Sequence, residues 1–257
     1  MAQTEERRPS PAVYAAVPER REEAEALAAH LHVPLTETEV PSLTLRLDAG
    51  GLTLTDGTLS LQADFTHMLP RLKPQNLGGE MLVKAAKMKD IPCPTLIDAT
   101  AGLGEDSLLL AAAGFHVQLY EYDPVIAALL RDALRRAAEV PELSEIVGRM
   151  ELHEADSIAA LPMLRDAPDV VLLDPMFPER QKSALIKKKF QLLQQLEAPC
   201  TDEEALLSAA IAAHPRKIVI KRPLKGAYLA GRKPGYSLTG KAIRYDCLVF
   251  PHGGSAE

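Results

Sequence analysis

The stretch from Val170 to Pro178 combines groups that could act on an amine. It reads Val-Val-Leu-Leu-Asp-Pro-Met-Phe-Pro, so that four apolar residues end at a carboxylate, a proline and an aromatic ring. A short apolar run predicts a buried strand, and the carboxylate would then lie at the edge of a sheet. Asp174 could instead simply cap the following turn, because Asp-Pro favours turn initiation. The chemical interpretation therefore depends on what else the fold brings to that edge.

Asp174, Pro175 and Phe177 together offer what methylation of an aromatic amine requires. The lone pair of an exocyclic amine is delocalised into its ring, so acceptors for the amine hydrogens favour a more nucleophilic nitrogen. The Asp174 carboxylate and the Pro175 carbonyl are such acceptors, and the Phe177 ring could stack on a planar base, a contact that contributes about 1–3 kcal/mol. Proline also stiffens the corner, which helps to place the amine in line with a methyl donor.

A glycine loop occupies the position at which an open α/β sheet binds nucleotides. Residues 98–107 read Asp-Ala-Thr-Ala-Gly-Leu-Gly-Glu-Asp-Ser, after a predicted strand and at the start of a predicted helix. Gly102 and Gly104 permit a tight turn and a close approach of the backbone to a ligand. Glu121 ends the next predicted strand, 17 residues after Gly104. That spacing is close to the one expected of an acid that binds ribose hydroxyls.

Glu105 and Asp106, at the start of the helix, discriminate between cofactors. Two carboxylates suit the positive end of a helix but repel a pyrophosphate, which disfavours NAD and FAD. S-adenosylmethionine has no phosphate and carries a positive sulfonium, so we predict it as the cofactor. Asp156 and Ser157 follow the third predicted strand and are expected over the adenine, where Asp156 could bind the adenine amine or simply cap the next helix. Asp98, at the end of the first core strand, is predicted to belong to the same cofactor-binding set.

The order of the predicted elements indicates an α/β fold with a doubly wound, mostly parallel Rossmann-like sheet. Strands are predicted at Thr95–Ala99, His116–Glu121, Met150–His153, Val170–Leu173, Lys217–Lys221 and Ala242–Phe250. Helices are predicted near Met81–Met88, Glu105–Ala113, Pro124–Ala138, Lys182–Leu196 and Thr201–Ala213.

The N-terminal part of the chain has a different pattern. Residues 1–17 are polar and proline-bearing, which predicts a loose lead-in, and Pro18 opens a Glu/Ala-rich helix. Between residues 42 and 65, leucines alternate with polar residues and glycines separate the runs, which predicts a small antiparallel meander. We therefore predict a small N-terminal α/β appendage at residues 1–70 and a methyltransferase domain at residues 71–257.

Composition and charge narrow the class of protein. The longest apolar runs of the 257-residue chain are too short to span a bilayer. The three cysteines are scattered and the histidines form no His-x-x-x-His pair, so we expect reduced thiols in a cytoplasmic protein and no metal. The net charge is −6, yet residues 174–257 carry 14 Lys and Arg against 8 Asp and Glu. This uneven distribution favours a polyanionic partner, although the lysines could also be solvated helix faces.

Several longer motifs are more specific than the glycine loop. They are Asp-Ala-Thr-Ala-Gly-Leu-Gly (98–104), Pro-Val-Ile-Ala-Ala-Leu-Leu (124–130), Leu-Asp-Pro-Met-Phe-Pro (173–178), Gln-Lys-Ser-Ala-Leu-Ile-Lys-Lys (181–188) and Val-Ile-Lys-Arg-Pro (219–223). Through them the chain resembles the ribosomal small-subunit methyltransferase J family over roughly residues 60–250. The resemblance implies methylation of the N2 amine of a guanine in small-subunit (16S) ribosomal RNA, with the RNA or the assembled small subunit as partner.

The resemblance also assigns residues. The family's cofactor contacts fall here on Glu105, Asp106, Glu121, Tyr122, Asp156, Ser157 and Asp174. Three of these positions depart from the family pattern. Arginine is usual in the family at the positions of Glu105 and Tyr122, and serine is frequent at the position of Asp156. The basic third of the chain would contact RNA phosphates, and within it the Lys221-Arg222 pair ranks first because it follows a strand end beside the pocket. The candidates are Lys182, Lys187, Lys188, Lys189, Arg216, Lys217, Lys221, Arg222, Lys225, Arg232, Lys233, Lys241 and Arg244.

Alternative functions remain open from the residues alone. The same Asp-Pro corner would serve methylation of another amine, in a DNA base or a protein side chain. A second alternative is an RNA-binding module with a vestigial cofactor pocket. An NAD-dependent enzyme would need a phosphate-friendly loop, which the Glu105-Asp106 pair does not provide.

Overall fold

The computed structural model describes residues 10–40, 42–175, 192 and 202–251 of the chain. Most of them fall into two compact units, which are described separately. One is built from residues 10–64 and Asp123–Arg136, and the other from Phe65–Tyr122, 137–175 and 202–251. The sequence predicted a continuous appendage ending at residue 70, whereas the first unit of the structure also takes in a helical segment after residue 122.

The first unit contains a five-stranded sheet. Its strands are β1 (Ala12–Ala15), β2 (Leu35–Thr36), β3 (Thr44–Asp48), β4 (Gly51–Thr55) and β5 (Ser60–Leu61), in the order β2-β1-β3-β4-β5. The antiparallel pairing of β3 with β4 and of β4 with β5 confirms the predicted meander. The expectation of a loose lead-in is wrong for β1, which pairs parallel with β2 and β3. Pairing in the sheet buries the Val13 side chain completely. This hydrophobic burial favours an ordered strand even though the neighbouring residues are polar.

Helices of the described residues follow the predicted pattern closely. They are α1 (Arg21–Leu31), α2 (Leu69–Leu72), α3 (Pro74–Leu77), α4 (Met81–Ala86), α5 (Glu105–Ala112), α6 (Pro124–Ala138), α7 (Pro141–Val147), α8 (Ser157–Ala160) and α9 (Glu203–Ala212). Short 3-10 turns occupy Pro18–Arg20, Thr66–Met68, Leu161–Met163 and Leu229–Gly231. The helix predicted at 182–196 lies outside the described residues except for Leu192. In the parts of the chain that the structure describes, no helix has the length and hydropathy needed to cross a bilayer.

The second unit is built on a seven-stranded, mostly parallel sheet, which confirms the predicted fold class. Its strands are β6 (Thr95–Asp98), β7 (His116–Glu121), β8 (Met150–Glu154), β9 (Val170–Leu173), β10 (Lys217–Pro223), β11 (Tyr236–Thr239) and β12 (Ile243–Val249), in the order β11-β12-β10-β9-β6-β7-β8. Strands β6 to β10 run parallel, and β12 pairs antiparallel with β10 and β11. The chain starts at the central β6, moves outward through β7 and β8, and then returns to the other side with β9. This reversal creates a crevice outside the carboxyl ends of β6, β7 and β9.

A buried carboxylate organises the first unit. Asp132 on α6 is 7% exposed and accepts hydrogen bonds from the Leu52 amide at 3.0 Å, from Arg135 at 2.7 Å and from Arg136 at 2.8 Å. Burial opposes ionisation, but these donors outweigh it and lower the pKa of Asp132. The close approach needs glycine at position 51, where φ is +116° and a Cβ would lie 2.6 Å from the Asp132 carboxylate.

Replacing Asp132 with alanine should lower the free energy of unfolding by about 3–5 kcal/mol, because Arg135, Arg136 and the Leu52 amide lose a buried acceptor. Urea denaturation at pH 7 measures the change. The control is Glu22→Ala, at an exposed position of α1, with an expected change within about 0.5 kcal/mol.

The effect of Asp132→Ala should also depend on pH. Because the folded pKa of Asp132 lies below the unfolded value of about 3.9, the stabilisation is complete above that value and is lost as the pH falls through the folded pKa. The difference in free energy of unfolding between wild type and Asp132→Ala should therefore become smaller at acidic pH. If that difference stays constant down to the lowest pH at which both proteins fold, Asp132 is not ionised in the folded protein.

Candidate active site

The glycine loop between β6 and α5 is organised by the buried carboxylate of Asp98. Its two oxygens accept hydrogen bonds from the Thr100 amide at 3.1 Å and from the Ser107 hydroxyl at 2.6 Å. Burial raises the pKa of Asp98 to about 7, although both hydrogen bonds oppose that rise. Asp98 was predicted to bind the cofactor. The structure shows its carboxylate bonded to the loop itself, so it shapes the loop from within.

Gly102, Gly104 and Glu121 lie together at the carboxyl ends of β6 and β7. Both glycines have left-handed backbones, with φ of +54° and +77°, and Gly104 is the residue from which α5 begins. The Gly102 amide donates to the Glu121 carboxylate at 2.8 Å. A Cβ on Gly102 would meet no atom within 4 Å, so this part of the loop faces open space. This hydrogen bond from the Gly102 amide satisfies the Glu121 carboxylate, which is only 8% exposed although it lies beside the glycine loop.

The loop after β8 contains two residues predicted to contact the cofactor, Asp156 and Ser157, and they differ in their exposure to solvent. Asp156 caps α8, because its carboxylate accepts a hydrogen bond from the Ile158 amide at 2.9 Å. The capping interpretation of Asp156 is therefore the one seen in the structure, and its exposed position leaves the second carboxylate oxygen accessible. Ser157 is buried beneath it, whereas Tyr122, after β7, is 75% exposed.

Asp174 follows directly on β9, whose four residues Val170–Leu173 are fully buried as the sequence predicted. The Asp174 amide donates to the Thr100 hydroxyl at 2.7 Å, which fastens the end of β9 to the glycine loop. Burial raises the pKa of the Asp174 carboxyl above its ordinary value. Pro175 is buried beside it. Phe177, the predicted stacking ring, lies outside the described residues.

Lys221 is the residue of the site whose role the sequence prediction missed. Its Nζ lies 2.6 Å from the Asp106 carboxylate and 2.8 Å from that of Asp174. Burial lowers the pKa of the Lys221 ammonium, but the two carboxylates outweigh it and raise that pKa above its ordinary value. Lys221 was ranked first among the RNA contacts, and the structure pairs it instead with two predicted site residues. The parallel arrangement of β9 and β10 was the signal that could have revealed this.

Three further residues predicted to contact RNA are buried in the protein. Lys217 donates to two backbone carbonyls, at 2.8 and 3.0 Å. Arg222 pairs with Glu203 at 3.0 Å, and Arg244 pairs with Asp246 at 2.9 Å. These side chains are 7%, 4% and 7% exposed, respectively. In this structure the charges of all three are bonded within the protein and are not presented to a phosphate.

The other basic candidates divide into three groups. Arg216 pairs with Asp169 at 3.3 Å. Those exposed to solvent are Lys225, Arg232, Lys233 and Lys241. Those that lie outside the described residues are Lys182, Lys187, Lys188 and Lys189.

The charge of this edge fits a cationic cofactor. Asp106 and Glu105 form the first turn of α5, and Glu121 and Asp174 end the two neighbouring strands. Carboxylates at a helix start suit the sulfonium and ammonium groups of S-adenosylmethionine and repel the phosphates of a dinucleotide. The open face of Gly102 lies beside Glu121, whose carboxylate accepts from the Gly102 amide.

A cavity of about 380 Å³ opens at the opposite edge of the sheet, among the amino ends of β6, β7 and β8. Its lining includes Thr95, His116 and Arg149 and contains none of the predicted cofactor residues. Ligands of open parallel sheets bind outside the carboxyl ends of the strands. The site therefore lies at the edge that carries Glu121 and Asp174.

Comparison with known proteins agrees with this geometry. The family model "Putative SAM-dependent methyltransferase" matches residues 27–250. Ribosomal RNA small subunit methyltransferase J of Thioalkalivibrio sulfidiphilus is 42% identical over 238 residues, which cover 89% of this chain and 93% of the relative. The protein of that name from Pseudomonas aeruginosa is 39% identical over 90% of both chains. A crystal structure of a SAM-dependent methyltransferase from Neisseria gonorrhoeae has a TM-score of 0.75 and 30% identity, covering 95% of this chain and 97% of that chain.

These matches extend over nearly the whole chain, and the site between β6, β7 and β9 provides the carboxylates and the open glycine loop that S-adenosylmethionine requires. They confirm the resemblance drawn from the sequence motifs: the chain belongs to the ribosomal RNA small subunit methyltransferase J family of S-adenosylmethionine-dependent methyltransferases.

Proposed function

We propose that this protein transfers a methyl group from S-adenosylmethionine to the exocyclic N2 amine of a guanine in small-subunit (16S) ribosomal RNA, in the cytoplasm. The observation that carries the proposal is the placement of Asp174, which directly follows strand β9 and is bonded to the glycine loop through its amide. The name of the relatives supports ribosomal RNA as the substrate. Either the free RNA or the assembled small subunit would present the guanine.

The proposed reaction needs the amine nitrogen to act as a nucleophile. Asp174 and the Pro175 carbonyl accept the two amine hydrogens, which favours a pyramidal nitrogen with an available lone pair. When bound, S-adenosylmethionine supplies the methyl group on its sulfonium, and the sulfur keeps the electron pair of the broken bond. The amine forms the new N–C bond with its lone pair and then releases one proton to solvent, so no strong general base is required. Phe177, two residues beyond Pro175, would stack on the base.

The cofactor would be held by the side chains at the neighbouring strand ends. Glu121 accepts from the ribose hydroxyls, in the role that acids at the second strand end take in nucleotide-binding sheets. Glu105 and Asp106 face the positive groups of the cofactor. Asp156 uses its second oxygen for the adenine amine, and the exposed Tyr122 ring lies at the same edge.

The RNA would approach from the side on which exposed lysines flank this edge. Lys225 lies two residues after the end of β10, and Lys241 lies two residues before the start of β12. Because Pro223 at the end of β10 pairs with Ile243 at the start of β12, both lysines lie at the carboxyl edge that carries Asp174. Exposed cations here attract RNA phosphates without entering the acidic pocket.

Methyl transfer to defined acceptors tests the proposed substrate. We expect tritiated S-adenosylmethionine to label 16S RNA, either free or in small subunits purified from cells that lack this protein, and digestion to release N2-methylguanosine. DNA and protein fractions in parallel reactions serve as the comparison. Label only in DNA or protein, or a different methylated nucleoside, would overturn the assignment.

Asp174→Ala should lower kcat by about 100-fold or more, because the amine loses its charged acceptor in the transition state. Single-turnover methylation measures the chemical step, and circular dichroism verifies the fold. Asp166→Ala removes an exposed carboxylate at the opposite edge of the sheet and should leave kcat unchanged. If Asp174→Ala retains the wild-type rate, Asp174 has no part in the reaction.

Glu121→Ala should raise the Kd for S-adenosylmethionine about 10- to 100-fold, since a hydrogen bond to a charged group contributes about 1.5–3 kcal/mol. Calorimetry measures the affinity. Glu121→Gln keeps an acceptor for the Gly102 amide, so it separates loss of the ribose contact from loosening of the loop. Glu151→Gln, exposed on β8, is the control. An unchanged Kd in both Glu121 variants would rule out the ribose contact.

A further inference from the structure

The parallel pairing of β9 and β10 brings Lys221 to Asp174. Ile220 on β10 is in register with Leu173 on β9. The next residue of each chain is therefore Lys221 on one side and Asp174 on the other, both at the carboxyl edge of the sheet. Their contact is a consequence of strand register and does not depend on a loop conformation.

Lys221 also reaches a third element. One ammonium group lies 2.6 Å from Asp106, in the first turn of α5, and 2.8 Å from Asp174, at the end of β9. The Lys221 side chain is 25% exposed and its two partners are 23% and 34% exposed, so the ion pairs are partly shielded from solvent. Shielding strengthens these contacts relative to surface salt bridges, which contribute little.

The charged and titratable groups that interact electrostatically with Asp174 come from four elements. They are Asp98 at the end of β6, Asp106 on α5, Lys221 on β10 and Tyr245 on β12. Burial raises the pKa of the Asp174 carboxyl, Lys221 lowers it and Asp106 raises it again, and the net shift is upward. Of these four groups, Lys221 is the one that favours the ionised form of Asp174.

We propose that Lys221 is a positioning residue for methyl transfer, whose ammonium keeps the Asp174 carboxylate ionised, aims it at the target amine and ties it to the first turn of α5. This inference rests on the proposed role of Asp174. An ionised carboxylate can only accept hydrogen bonds, whereas a protonated one would carry a donor toward the amine. Lys221 thus acts on the reaction through Asp174, and it bonds Asp106 with another of its three N–H groups.

The contrasting role for Lys221 is purely structural, in which it holds α5 against the sheet. Both roles predict that Lys221→Met loses stability, so stability alone does not separate them. They differ in the pH dependence of Asp174. If Lys221 keeps Asp174 ionised, its removal raises the pKa of Asp174 and moves the acid limb of the kcat profile to higher pH. A structural tie alone leaves the acid limb where it is.

The experiment compares wild type with Lys221→Met, Lys221→Gln and Lys221→Arg. The matched control is Lys89→Met, an exposed lysine in the segment before β6. The first measurement needs no cofactor: the pH titration of the Asp174 side-chain carboxyl by carbon NMR in each protein. The second is kcat and KM against pH with 16S RNA as acceptor. Thermal unfolding is recorded for every variant.

For Lys221→Met and Lys221→Gln we expect the Asp174 titration to move upward by about one pH unit or more, equivalent to about a tenfold change in its ionisation equilibrium. At a fixed pH on the acid limb, kcat should fall about tenfold and recover at higher pH, with KM for S-adenosylmethionine changed less than threefold. Lys221→Arg should retain the wild-type titration and most of kcat. The inference is overturned if Asp174 titrates as in wild type in whichever neutral variant folds.

The same set of proteins distinguishes this inference from the proposed function. If Asp174→Ala remains active, the proposed role of Asp174 fails, and so does the catalytic role assigned to Lys221. If Asp174→Ala is inactive while neither neutral Lys221 variant shifts the acid limb, the proposed function stands and only the Lys221 inference fails.

Discussion

Strand register in the parallel sheet is the constraint on which the site depends. β6, β9 and β10 pair in parallel, so the residues that follow their last paired positions meet at one edge. Three bonds then link these ends: the Ala99 amide to the Leu172 carbonyl, the Asp174 amide to the Thr100 hydroxyl, and Lys221 to Asp174. Each joins groups that are distant in sequence and adjacent only because the strands align. A one-residue slip of β9 or β10 would turn these side chains to the opposite face of the sheet.

The site concentrates carboxylates at this edge, and each one needs compensation. Burial of a carboxylate is costly unless donors or cations replace water. Asp98 is bonded by Thr100 and Ser107, Glu121 by the Gly102 amide, and Asp174 by Lys221. The donors come from the glycine loop and from β10, so the loop both forms the cofactor cradle and satisfies the acids that line it. The backbone conformation that this double use requires includes left-handed residues at both Gly102 and Gly104.

Much of the fold follows from the sequence because its elements have strong local patterns. The apolar run of β9 and the alternating leucines of β3 and β4 predicted strands correctly. The helix α6 was also predicted correctly. β1 and β11, each four residues long, were not predicted: β1 is ordered by pairing with the distant strand β3, whereas β11 forms a hairpin with the neighbouring strand β12. The acids of the site were identified from motifs. Lys221, Arg222 and Arg244 were predicted to contact RNA from the distribution of charge, which does not separate exposed cations from buried ones. The structure pairs each of them with a carboxylate of the protein.

The arrangement of charge also resolves an apparent conflict between an acidic protein and a polyanionic substrate. The net charge of −6 would repel RNA if it acted as one point charge. At the carboxyl edge of the sheet, however, Glu121 is buried and Asp106 and Asp174 are half-buried and paired with Lys221, while Lys225 and Lys241 are exposed. Over a Debye length of about 8 Å at physiological salt, a phosphate responds to the nearest exposed charges and not to the whole molecule. An acidic pocket for a cationic cofactor and a basic rim for RNA can therefore share one edge, provided that the pocket acids are paired, as Asp106 and Asp174 are through Lys221.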